Sequence, residues 1–172
     1  MSVILGLGLG ACAQDTPPAA GVNASHDVQT PVPPSPSAAT EAASSAVAAY
    51  RAMWADAEVA GRTADPKHPR LDDHAEKNAL WLLQYVMEQA RKAGVTITGS
   101  VVVEPTVVKS AKDEVELRDC VDGSKWVQAK PGRSSGGLSG GRRRAQATVD
   151  RISGDAWKVS DLHWEEVGTC IK

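Results

Sequence analysis

Asp161 and His163 stand two residues apart in a segment of alternating apolar and polar residues, which sets them on one face of a strand. A carboxylate beside an imidazole fixes its tautomer and raises its basicity, as general acid–base catalysis requires. If that face lined the mouth of a cavity, the two would be catalytic. On an open sheet face they are a polar strand edge, which is the plainer reading. His74 follows Asp72 and Asp73 at an expected helix start and reads as a solvated first turn, while His68 lies in a Pro-flanked loop and His26 in a Pro-rich stretch. Asp119 precedes Cys120 and a Val-Asp-Gly-Ser run, and reads as turn chemistry. No Gly-x-Ser-x-Gly, His-Glu-x-x-His or Walker sequence occurs. No cofactor is expected. Cysteines without a Cys-x-x-Cys spacing or a paired histidine give no metal set.

Residues 132–141 are rich in glycine but lack the Lys-Ser/Thr and following helix of a phosphate cradle, and read as a long hairpin loop. The next three residues, Arg142, Arg143 and Arg144, suit contact with an anionic lipid or phosphate. Their plainer role is a charged strand start that blocks edge pairing. A net charge of -2 speaks against nucleic acid as the partner. With 172 residues, 42% hydrophobic and 23% charged, the chain is no collagen, polytopic membrane protein or wholly disordered polymer.

Of the three cysteines, Cys12 closes an uncharged apolar run, residues 1–11, far below the roughly 20 residues that span a bilayer. The run reads as the apolar part of a secretory signal. No Lys or Arg precedes it, and a start upstream of Met1 would supply one. Leu9-Gly10-Ala11-Cys12 resembles the bacterial lipobox, which implies diacylation of the Cys12 thiol and a mature chain beginning there. Residues 13–38 are mainly Pro, Ala, Ser, Thr and Val and cannot bury enough apolar surface to fold. They read as a disordered tether, roughly 30 Å long as a coil. Cys120 and Cys170 remain. In an exported domain such a pair is expected to be a disulfide, closing a loop of about 50 residues and contributing about 4 kcal/mol.

Residues 39–172 have the size of one domain. Ala46, Ala49, Tyr50, Met53, Trp54 and Ala57 recur at three and four, predicting a helix over 42–60 that Gly61 stops. Asp73 and Glu76 predict a capping box for a second helix ending before Gly94, with Ala79, Leu82, Leu83, Val86, Ala90 and Ala93 as its apolar face and Trp81 and Tyr85 beside it. From Val95 the period changes to two, and strands are expected over 96–103, 106–109, 114–120, 125–130, 143–153 and 156–166. Trp157 and Val159 have one parity and Leu162 and Trp164 the other, so a bulge is expected near Ser160-Asp161. Five Trp without any Phe provide either core filling or the walls of a cavity.

Helix with Tyr50, helix ending at Gly94, Glu104-Pro-Thr-Val-Val108, Leu117-Arg-Asp-Cys120 and Trp157-Lys-Val159 ahead of Cys170 follow the lipobox and tether in an order that resembles small secreted lipoproteins of actinobacteria. These resemble the nuclear-transport-factor-2-like, or SnoaL-like, cone fold. The resemblance implies an α+β domain: N-terminal helices packed on a strongly bent antiparallel sheet. The expected role is a non-catalytic binding or assembly module, anchored by lipid to the outer face of a bacterial membrane, with a protein partner or a small apolar ligand. The rivals are a SnoaL-like isomerase, cyclase or dehydratase using Asp161 and His163, and a structural component of a cell-envelope or secretion complex.

Overall fold

A computed structural model describes residues 37–130 and 140–170. The expected signal peptide, Cys12, the tether up to residue 36 and residues 132–139 of the glycine-rich loop lie outside them. Among the described residues no helix is long and apolar enough to cross a membrane.

Helix α1 runs Ala38–Gly61, starting earlier than Ala42 because the Ser37 hydroxyl caps it by accepting from the Thr40 amide at 3.3 Å. Its buried stripe is Ala42, Ala46, Ala49, Tyr50, Met53, Trp54, Ala57 and Ala60, together with one acid, Asp56. Gly61 allows close approach of the next layer: a Cβ there would lie 2.9 Å from the Ile97 carbonyl oxygen. A 3-10 turn, Pro69–Asp72, leads to helix α2, Lys77–Lys92.

The predicted Asp73 cap is wrong. Residues 74–76 are held extended against a strand, the Val159 amide donating to the His74 carbonyl and the Glu76 amide to the Val159 carbonyl, each at 2.9 Å. The helix therefore starts only at Lys77, with Glu76 preceding it and giving no side-chain cap. Asp73 pairs with Arg70 instead. The C-terminal stop is as expected: Gly94 takes φ +63, and the Val95 amide reaches back to the Ala90 carbonyl at 3.0 Å. Ala79, Leu83, Met87 and Ala90 are buried, Leu82 and Val86 partly so, and Ala93 is exposed. The stripe runs through Met87 and ends one turn before Ala93.

Six strands follow: β1 (Thr96–Thr98), β2 (Thr106–Ser110), β3 (Glu114–Asp122), β4 (Val127–Ala129), β5 (Arg142–Ser153) and β6 (Ala156–Trp164). An open four-stranded antiparallel sheet has the order β2-β3-β5-β6, and β1 pairs antiparallel with β4 as a separate ribbon. The continuous strand expected over 96–103 breaks at Gly99, whose φ is +96 and where a Cβ would lie 1.8 Å from the Lys125 carbonyl oxygen. Only a bridge from Val102 to Asp122 resumes the pairing. The expected bulge is present. Thr148 pairs with Asp161 and Val149 with Val159, leaving Ser160 unpaired and exchanging the two faces of β6. Val115, Leu117, Val121, Ala145, Ala147, Val149, Val159 and Leu162 form the buried sheet face beneath the helices. Two helices on antiparallel sheets make the domain α+β. Cys120 and Cys170, 50 residues apart, form a disulfide with Cα atoms 5.8 Å apart.

Candidate functional site

Alternation along β5 decides what the three arginines do. Ala145, Ala147 and Val149 point inward, so stepping back by two places Arg143 on the same inner face, with Arg142 and Arg144 on the outer one. Outside, Arg142 Nε donates to Asp122 Oδ2 at 2.8 Å, and Arg144 lies 3.9 Å from Glu165. Inside, Arg143 is half-buried, with its guanidinium carbon 5.4 Å from the ring centre of Trp164. Burial lowers its pKa from the ordinary value.

Arg143 lines a cavity of about 270 Å³ bounded by α1, α2, the β1–β4 ribbon and the inner face of the large sheet. Three of the five tryptophans meet there. Trp54 of α1 stacks on Trp164 of β6 at 5.6 Å between ring centres, and Trp126, just before β4, meets Trp54 edge-on at 6.1 Å. Val86, Ile97, Val101 and Val121 complete the apolar wall, and Gln128 adds an amide. The indole nitrogens of Trp54 and Trp126 are buried without a hydrogen-bond partner among the described residues. Buried tryptophan normally finds one.

Beside this wall lies a polar group that the sequence misassigned. Asp119 is not a turn residue: β3 continues through it to Asp122, and its parity, shared with Leu117 and Val121, turns it inward. Asp122 makes the turn instead, accepting from the Ser124 amide at 3.0 Å and hydroxyl at 2.6 Å. The Ser124 hydroxyl and Arg142 hold the Asp122 carboxyl well below its ordinary range. Asp119 Oδ1 accepts from the Glu104 amide at 3.0 Å, while Oδ2 is buried without a hydrogen-bond partner among the described residues. Burial raises the Asp119 pKa. The Tyr50 hydroxyl, with Asp119 and the Trp54 indole as its electrostatic neighbours, completes no hydrogen bond with either. Burial, then the Asp119 charge, pushes that phenol up out of the ordinary range.

Asp161 and His163 lie elsewhere. Both are exposed and border a shallow depression with Glu116, Arg118, Gln146 and Thr148, and they make no hydrogen bond to each other. With the Asn78 amide turned to satisfy its neighbours, its nitrogen donates to Asp161 Oδ1 at 3.1 Å. The pair does not face the cavity.

His74, read as a solvated turn residue, instead has its Nδ1 2.6 Å from Asp56 Oδ2. Asp56 is 1% exposed and also accepts from Arg70, through Nε at 2.8 Å and through Nη2. One buried carboxylate is thus satisfied by two cationic or donor side chains. No group of three or more His, Cys, Asp or Glu is gathered for a metal among the described residues.

No family model and no curated protein matches the sequence. Among solved structures, the crystal structure of the intermembrane space region of the chloroplast protein ARC6 aligns at 14% identity, covering 69% of this chain and 95% of that one, with a TM-score of 0.43.

Proposed function

We infer that this domain is a non-catalytic binding module for a small, mainly apolar ligand, of the SnoaL-like cone kind, carried at the outer face of a bacterial membrane by a lipid on Cys12. The observation that carries the reading is the cavity walled by Trp54, Trp126 and Trp164. Core aromatics that only fill space leave no such room, and cavities of this type, lined by apolar and aromatic groups with a few polar atoms, are the usual form of small-molecule sites. The enzyme reading loses its residues, because Asp161 and His163 lie outside that cavity. The Cys120–Cys170 bridge fits an oxidising compartment.

Calorimetric titration with a neutral probe, 4-phenylbutan-1-ol, tests the cavity. Binding should saturate, and Trp126→Ala should weaken it about tenfold, the scale of losing one well-packed aromatic wall. No binding at millimolar probe contradicts the reading. Mass spectrometry of membrane-fraction protein tests the anchor, an unmodified Cys12 removing it.

A second role, assembly with another protein, has its own support in the stacked pair Trp81 and Tyr85. Their rings lie 5.5 Å apart on the outside of α2, with exposures of 60% and 49%. Large exposed aromatics in contact with each other are what protein interfaces offer.

A further inference from the structure

We propose that the Trp-lined cavity takes a small organic monoanion, a carboxylate on an aromatic or short aliphatic body, and that Arg143 receives the charged end. This rests on the reading of the cavity as a ligand site and adds the chemical class of the ligand.

Arg142 and Arg144 are each matched to a carboxylate, but Arg143 between them has none within ion-pair distance among the described residues. A guanidinium stays ionised, and a charge drawn partly out of water without a counter-ion is costly. The neighbouring arginines escape that cost, because β3 supplies Asp122 to Arg142 and the residue after β6, Glu165, lies by Arg144. The guanidinium carbon lies over the Trp164 ring, and a guanidinium carries its N–H donors in one plane, a fork that suits two parallel bonds to a carboxylate.

Two cavity-lining tryptophans, Trp54 and Trp126, also carry indole N–H donors without a partner among the described residues. With Arg143 as the cationic donor lining an apolar space, the cavity calls for an acceptor-rich head on an apolar body. Three tryptophans alone would suit a quaternary ammonium, but Arg143 repels one. A volume of about 270 Å³ holds a single small body, not a two-chain lipid.

The full 172-residue chain, with its disulfide formed, is titrated at neutral pH and low salt with 4-phenylbutyrate and with 4-phenylbutan-1-ol, which share a carbon skeleton. The acid should bind about tenfold to hundredfold more tightly than the alcohol. Arg143→Gln should abolish that preference, the acid and the alcohol then binding with equal affinity in the variant. Arg143→Lys, which keeps the charge without the flat fork, should keep part of it and decides the question if the Gln variant fails to fold. Equal affinities in the wild type overturn the anion assignment and leave the ligand site standing. A preference that survives in Arg143→Gln overturns the role of Arg143. Failure of both compounds to bind at millimolar concentration overturns the ligand site and the anion together.

Discussion

Asp56 and Arg143 are both charged side chains set on faces that pack inward, and they are treated in opposite ways. Asp56 is buried on the inner face of α1, and the fold brings Arg70 and His74 to it from the segment ahead of α2, so its oxygens are satisfied within the chain. Arg143 is only half-buried, lining a cavity, with an aromatic face for company and no carboxylate at ion-pair distance among the described residues. A charge completed by the protein holds the fold together. One left incomplete beside empty space is available to something else.

The two regions should respond differently to damage. The largest effect is expected at the Cys120–Cys170 bridge, which ties the C-terminal segment to β3 one residue from Asp119. Its removal by Cys120→Ser with Cys170→Ser should cost about 4 kcal/mol in urea unfolding, from the freedom returned to the unfolded chain. Amide exchange should rise first around β3. An unchanged urea midpoint would contradict the brace.

Next in size is Asp56→Ala. It strands His74 and Arg70 without their shared acceptor and should cost about 3 kcal/mol, moderated because Arg70 can turn to water. Arg143→Met, by contrast, keeps an unbranched stem against Trp164 and removes the unmatched charge. Its stability should stay within about 1 kcal/mol of wild type, or rise. Thermal unfolding of the two variants side by side would erase the distinction if they fell equally.

The smallest effect concerns Asp119, whose pKa burial raises. The folded chain then holds this proton more tightly than the unfolded chain. Its contribution to stability is fully present below the unfolded carboxylate range and is lost as pH rises through the raised value. Asp119→Asn keeps an acceptor for the Glu104 amide and cannot ionise. Unfolding measured across pH should find the variant equal to wild type in acid and more stable near neutrality. The reverse order would contradict the burial assignment.

Much of this was legible in the residues. The α1 stripe, the Gly94 stop and the Ser160 bulge follow from local periodicity and helix-ending chemistry, and the Cys120–Cys170 pairing was expected from a reading of the domain as exported. What local pattern could not supply was tertiary pairing. Asp73 and Glu76 would cap a helix by sequence, but the backbone of residues 74–76 bonds to β6. Gly99 breaks a strand because Lys125, distant in sequence, comes against it.

Asp56 and Asp119 were missed as inward groups, and Arg143, named with Arg142 and Arg144 as an anionic contact, was not set apart from them, for a different reason. Asp56, Asp119 and Arg143 are polar residues at positions whose apolar neighbours had already fixed an inward parity, and that conflict was the available signal. Asp161 and His163 drew attention by type and by sharing one strand face, and that face is the outward one.

The most direct test is an NMR titration of the five indole N–H groups in ¹⁵N-tryptophan-labelled protein with 4-phenylbutan-1-ol. Trp54, Trp126 and Trp164 should shift together with one saturation curve. Trp157, packed under Arg151 at 4.9 Å, and the exposed Trp81 should stay fixed. Shifts confined to Trp81, or none at all, would contradict the cavity as the binding site.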